Sequence, residues 1–466
     1  MGNEPDEEQQ MMHMLMYSNE FDLEGLIAVT GKFLNPNSKN PAKQKLYPEL
    51  FHHLIEGYSQ VYENLKKHAD GWPEPEYLTS IVRNGQKGYG TLGVGEEKTS
   101  EGSKLIVEAL KKKDQRPVYI VINAGSNTLA QALYDLKKEA TEEEMAKYIA
   151  KIRVYENGAQ DNAGAYICHN YPDIFWIRSN YQTYCYGGAS VDGGYDNKGD
   201  RNELGPHVWK PYAYSGVGQH QWLLEHIIGN HGPFGKYYPL RQFHRGGISF
   251  MEGGGTIPWL GLINKGLFSI DHPHWGSWSG RYTREKIENE MSKHASVNKD
   301  EKHYMPFAMY IDDADEWTDP ESGKEYNNPF SPVFRWRRAF LEDFKGRMDW
   351  CRNSYENANH NPVATIDGDN SNTILFKEIK AGKKISFDAS SSTDPDGDGL
   401  KYNWWIYKEA GTYEDAVIIE NNTSERARIT IPKEAKGKEI HLILEIIDDN
   451  KIVNLRDYRR IVISVI

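Results

Sequence analysis

The chain alternates between stretches whose apolar residues recur at helical spacing and short continuous apolar runs. Residues 9–19 gather Met11, Met12, Met14, Leu15 and Met16 at helical spacing. FDLEGLIAVT (21–30) reads as a strand after a turn. Residues 46–69 carry a long helical period, and a Gly-rich loop follows at 84–96. SEGSKLIVEALKKKD (100–114) reads as a helix with Ser100 as its cap. RPVYIVINAG (116–125) is a short apolar run of the kind found in strands covered on both faces. A helix at 126–140, a strand and turn at 151–161 and a strand at 173–179 continue the series. Strands alternating with helices predict βαβ units and an α/β fold with a doubly wound, mostly parallel sheet.

The pattern loosens from 180 to 330, where Gly, Trp, His and Tyr dominate, as in DHPHWGSWSGRY (271–282). Loops this long usually build a binding surface or lid. A helix returns at 334–358. The composition shifts at NHNPVATIDGD (359–369), and from there to the C-terminus the chain alternates as strands do, with turn clusters at regular intervals. That predicts an immunoglobulin-like all-β sandwich over 359–466, after an α/β domain over 1–358.

Charge and composition narrow the function classes. The net charge is −12, with no Lys/Arg-rich stretch to grip a phosphate backbone, so no nucleic-acid partner is expected. The mean hydropathy is −0.72. No apolar run approaches the roughly 20 residues of a bilayer span, so no membrane partner is expected either. Cys168, Cys185 and Cys351 are too few for a disulfide framework. A Cys168–Cys185 bridge is one option, but buried free thiols are the expected outcome. The 29 Tyr and 12 Trp offer many flat apolar faces with polar edges, which suit sugar rings as well as a large core.

The chemistry concentrates at the start, MGNEPDEEQQ. Consecutive carboxylates and an Asn in a loop could ligate a hard cation such as Ca²⁺. Acidic residues also favour the positive end of a helix dipole, and from spacing alone that plainer reading outweighs ligation. DPDGDG (394–399) has the alternating Asp of calcium loops, yet Asp and Gly are also the natural residues of a turn, which is the favoured reading. His220, His226, His231 and His244 lie in the loop-rich region, where a His could protonate a leaving group. The sequence does not choose among them. Trp404 and Trp405 alternate faces on a strand, so one is expected in the core.

Several segments together carry a family resemblance: MGNEPDEEQQMMHMLMYSNEFDLEGLIAVT, VINAGSNTLAQAL, KIRVYENGAQDNAGAYICHNYPDIFWIRS, HPHWGSWSGRY, FRWRRAFLEDFKGRMDWC and SFDASSSTDPDGDGLKYNWWIYKEAGTY. In order and across essentially the whole chain, they resemble the nucleoside hydrolase-like proteins of the Sde182-type cellulose-binding family. The resemblance implies a fold like that of the nucleoside hydrolases. Those enzymes carry a D-x-D-P-G-x-D-D loop that holds Ca²⁺ and activates a water. Laid over this chain, Asp6 and Glu7 fall on the final acidic pair and Gly2 on the second Asp. The first Asp would precede Met1, so the first strand is expected to lie upstream of this sequence. Gly2 lacks the acid that serves as general base in those enzymes, so Glu4, Asp6 and Glu7 are expected to compensate as the catalytic residues, with Asn3 binding substrate. Asp6, Glu7 and Asn127 are the implied calcium ligands. Gln160 and Asp161 resemble a sugar-facing turn. EGGGTIPWL (252–260) resembles a segment with an Asp where Gly255 stands, leaving Glu252 as its acid. His272, His274, Trp275, Trp278 and Arg281 are expected to wall a sugar pocket.

The favoured function is hydrolysis of a glycosidic bond in a glycan or glycoside. The alternative is a carbohydrate-binding protein without catalysis. A third reading is an inactive relic with a structural role. Homo-oligomers and a periplasmic or secreted location are further expectations of a sugar-acting domain joined to a β-sandwich. No signal peptide is visible, which carries little weight in a chain that starts inside a motif.

Overall fold

The computed structural model describes residues 6–186, 222–239, 253–267, 271–288, 299–320, 323 and 325–466. They form two compact units. The first draws on residues 1–63, 71–259 and 282–313, the second on residues 64–70, 260–281 and 314–466.

The first unit opens with helix α1 (Asp6–Leu15), whose first turn is acidic and whose Met11, Met12, Met14 and Leu15 are buried. Strand β1 (Leu26–Ala28) pairs in parallel with β2 (Val82–Asn84). Between them run α2 (Glu49–Ser59), α3 (Tyr62–Leu65) and α4 (Pro75–Ser80). Helix α5 (Glu101–Lys111) starts at a capping box in which the Ser100 and Ser103 side chains each accept from the other's backbone N–H. Strand β3 (Val118–Ile122), α6 (Asn127–Glu139), α7 (Glu142–Lys151), β4 (Ile152–Asn157), α8 (Ala163–Asn170) and β5 (Phe175–Ser179) follow. Strands β6 (Tyr282–Ile287) and β7 (Phe307–Asp312) complete a five-stranded sheet of order β3-β4-β5-β7-β6. All neighbours are parallel except β6 and β7. The carboxyl ends of β3, β4, β5 and β7 therefore share one edge, where open α/β sheets bind ligands. Leu129 and Leu133 of α6, Ile167 of α8, Val154, Trp176 and Met309 fill the core.

Some elements differ from expectation. The helical period of 46–69 is broken between Ser59 and Tyr62. The strand expected over 21–30 is three residues long. The run expected to be covered on both faces is half-buried at four of its five positions, because β3 is the end strand of the described sheet. Helix α7 was not evident because only Met145 and Ile149 of its ten residues are buried. Strands β6 and β7 lie inside the segment expected to be loops. In β6 only the terminal Tyr282 and Ile287 are buried, so its pattern shows no alternation.

The second unit holds a hairpin, β8 (Asp315–Thr318) and β9 (Glu325–Asn328), the long helix Ser331–Asp349 and a β-sandwich. One sheet has the order β10 (Leu375–Ile379), β16 (Arg456–Val465), β15 (Glu439–Asp448), β12 (Leu400–Ile406). The other has β11 (Lys384–Asp388), β14 (Arg426–Thr430), β13 (Ile418–Glu420). Pairing is antiparallel apart from β10 with β16. Phe387, Trp404, Ile429, Leu442, Leu444, Ile461 and Ile463 make the sandwich core. On the outer face Trp336 of the long helix meets Trp405 and Tyr458, at ring separations of 5.7 and 5.5 Å. No described helix is long and apolar enough to cross a membrane.

Candidate functional site

The carboxyl ends of β3 and β4 carry a set of polar side chains with buried, unpaired atoms. Asn123 follows β3 directly. Its Nδ2 donates to the Gly255 carbonyl at 3.3 Å, and its carbonyl accepts from Gln160 Nε2 at 3.0 Å. Asn127 begins α6, and its Nδ2 donates to Thr30 Oγ1 at 2.8 Å and the Gly88 carbonyl at 2.7 Å. Gly125 N donates to the Thr30 carbonyl at 2.8 Å, which ties the chain leaving β1 to the end of β3. Asp161 follows the β4 turn, and its Oδ1 accepts from Ala163 N at 2.9 Å. Three acceptors on these adjoining segments are buried with no hydrogen-bond partner: Asn123 Oδ1, Asn127 Oδ1 and Asp161 Oδ2. A buried acceptor left unpaired costs about 1–3 kcal/mol, so three together single these segments out.

Burial pushes the Asp161 carboxyl up to about 7. The Glu156 charge adds to the rise, and the amides of Ala163, Ser126 and Asn127 oppose it. Of those amides only Ala163's makes a hydrogen bond of ordinary geometry. Beneath lies a fully buried ion triad. Arg178 Nε donates to Glu156 Oε2 at 2.6 Å and its Nη2 to Glu301 Oε1 at 2.8 Å. Ser126 Oγ and Trp176 Nε1 satisfy Glu156 further, at 2.7 and 3.0 Å. Burial raises Glu301 to about 7 against the pull of Arg178. At the end of β7, Asp312 accepts from Ser179 Oγ and the amides of Asn180, Tyr181 and Gln182 at 2.6–3.1 Å, which fixes the turn after β5.

Asp6 and Glu7 sit in the first turn of α1, where their charge suits the helix dipole. Asn3, Glu4 and Glu252 lie outside the described residues, as do His220 and His244. His226 and His231 belong to the first unit, at residues 222–239. Gly255 is packed so closely that a Cβ there would stand 2.7 Å from the Asn123 amide. No carboxylate could occupy 255 while Asn123 keeps its place. Among the described residues the one trio of acids with converging oxygens is Asp394, Asp396 and Asp398, in the second unit. Neither Asp6 nor Glu7 belongs to such a trio among the described residues. In DPDGDG, Asp394 Oδ1 accepts from the amides of Asp396 and Asp398 at 2.8 and 3.1 Å, as a turn requires.

His272, His274, Trp275, Trp278 and Arg281 belong to the second unit, whereas Gln160, Asp161 and Asn127 belong to the first. Trp278 is buried against Phe340 and Tyr458. Arg281 Nε donates to Asp315 Oδ1 at 2.6 Å. His272 and His274 are exposed beside the buried Trp275. The three cysteines are buried free thiols. Sequence reasoning missed Asn123, Glu156, Arg178, Glu301 and Asp312. Asn123 and Asp312 each lie at the end of a strand and were findable on that ground. The triad was not, because Glu301 is brought to Arg178 from 123 positions away.

A mixed sheet of this order, with its polar cluster at the carboxyl ends of parallel strands, is that of a nucleoside hydrolase-like protein. Residues 1–282 match the family model described as cellulose-binding Sde182, nucleoside hydrolase-like domain. Residues 384–465 match that of the cellulose-binding protein Sde0182, C-terminal domain. The chain belongs to the cellulose-binding Sde182 family. It is similar over its full length to a solved nucleoside hydrolase-related protein from Saccharophagus degradans that is associated with carbohydrate metabolism. Identity is 34%, the TM-score is 0.80 and 98% of that chain is covered. A second solved structure, an endo-fucoidan hydrolase from glycoside hydrolase family 107, shares 18% identity over 20% of this chain and 12% of its own, with a TM-score of 0.15, too little to bear on function. No curated protein matches the chain.

Proposed function

We propose that this chain binds a cellulose-type β-glucan, and that its first unit takes a glycosyl ring at the carboxyl ends of β3 and β4. One observation carries the reading: the buried, unpaired acceptors of Asn123, Asn127 and Asp161 on adjoining segments. A sugar presents hydroxyl donors around its rim, which is what these oxygens lack. Gln160 and the Asn123 amide hold the arrangement in register. Calorimetry with cellohexaose tests it. Asn123→Ala and Gln160→Ala should each weaken binding about tenfold, about 1.4 kcal/mol. Wild-type affinity in both would overturn this placement.

The raised Asp161 carboxyl favours a second reading, hydrolysis of a glycosidic bond. A carboxyl that keeps its proton near neutral pH can protonate a leaving oxygen. A water deprotonated by Glu4, Asp6 or Glu7 would then attack the anomeric carbon through an oxocarbenium-like transition state. Release of reducing sugar by the parent, abolished in Asp161→Asn, is the expected outcome. Binding without release in the parent would leave a binding protein.

A further inference from the structure

The second unit carries two exposed rings, Phe376 and His272, gathered around a buried Trp275. Phe376, on the end strand β10, is 66% exposed although it lies within a strand. A solitary exposed apolar side chain needs no explanation. This one has company. Its ring lies 6.2 Å from that of Trp275, and exposed His272 stacks on Trp275 at 3.9 Å and 13°. Trp275 is itself only 4% exposed, and its Nε1 is buried with no hydrogen-bond partner.

These rings have a firm base and a polar margin. His441 meets Trp275 edge-on at 5.0 Å, and its Nε2 lies 2.8 Å from Glu439 Oε1. Arg460 donates to His441 Nδ1 at 2.9 Å and to the Gly276 carbonyl at 2.6 Å, which fixes the turn bearing Trp275. Exposed His274 has its ring 5.8 Å from that of His272. Partial burial of the ring holds His274 below the usual imidazole range, so near neutral pH it offers one donor and one acceptor. Glu439 is partly exposed, and its hydrogen bond to His441 holds its carboxyl low, so it stays an acceptor. Two exposed rings, tilted to one another over a buried indole and edged by neutral imidazole and carboxylate, suit a ligand with apolar faces and hydroxyl edges. A β-glucan chain has that form, with axial C–H groups on its faces and equatorial hydroxyls along its rim. The groups do not converge as metal ligands would.

We infer that Phe376 and His272, set on the buried Trp275 and with His274 and Glu439 at their margin, form a glucan-binding strip on the second unit. The inference rests on the reading that the chain binds β-glucan. Phe376 and His272 are exposed, so their replacement leaves the fold intact, which an unchanged melting temperature verifies. The test is retention of the full chain on microcrystalline cellulose, with cellohexaose calorimetry alongside. Phe376→Ala and His272→Ala should each reduce retention about tenfold, while Phe376→Trp retains it. If both Ala variants bind as the parent does while Gln160→Ala is impaired, the strip is refuted and the broader reading survives. If the parent neither adheres to cellulose nor binds cellohexaose, the broader reading fails and the strip with it.

Discussion

At the scale of the residue, Asp161 is a buried carboxyl with one oxygen unpaired. A free Asp titrates near 3.8 and this one at about 7. Between those values the native chain holds a proton that the unfolded chain has released. Asp161 thus adds stability at the acid end of the window, and the contribution is lost as pH rises from about 4 to about 7. Asn at 161 keeps an acceptor for the Ala163 amide and removes the titration. Urea midpoints of Asp161→Asn should fall less steeply than the parent's across that window, and parallel curves would argue against the shift. Gly255 makes a steric point. A methyl there meets the Asn123 amide at 2.7 Å, so Gly255→Ala should cost about 1–3 kcal/mol. In the Asn123→Ala background the same change should cost clearly less, a coupling that a double-mutant cycle in chemical denaturation reads directly.

At the scale of the element, the sequence made the alternation of α5, β3, α6, β4, α8 and β5 legible because each has a strong period or a clear cap. Ser100 is the plainest case. The acidic opening was legible as a helix start, and the structure places Asp6, Glu7 and Glu8 in that first turn. The elements that stayed hidden did so for physical reasons. Strand β7 comes after a segment rich in polar and aromatic residues, and its Asp312 looks like any loop acid until four donors converge on it. Of the candidate sugar-facing residues, Gln160 and Asp161 do lie at the strand ends. Trp278 is spent on packing against Phe340 and Tyr458, and Arg281 on Asp315. Composition could not separate an aromatic that packs from one that binds. Trp404 and Trp405 show the difference on neighbouring positions: the first is in the sandwich core, the second against the long helix.

At the scale of the whole molecule, the shift in composition at residue 359 marks where strands take over. The compact second unit reaches further, because Ser331–Asp349 lays Trp336 across Trp405 and Tyr458, and residues 64–70 and 260–281 join it. Trp336 is buried at that seam, so Trp336→Ala should cost about 3–5 kcal/mol. Its signature is an early loss of the second unit's near-UV signal on heating. An unshifted transition would mean that the helix contributes little to the sandwich.

His68 takes its place in that unit with its Nδ1 3.0 Å from Nε2 of His360, a partner 292 positions later. Its Nε2 faces the Asn353 carbonyl at 2.9 Å. During synthesis, residues 64–70 leave the ribosome long before either partner exists. They must wait while most of the polypeptide is made, and a loop of that length must close before the unit is complete. Completing the unit is therefore a non-local step of folding. For the same reason no single cut in the gene yields the second unit whole, so recombination would have to move it together with the first.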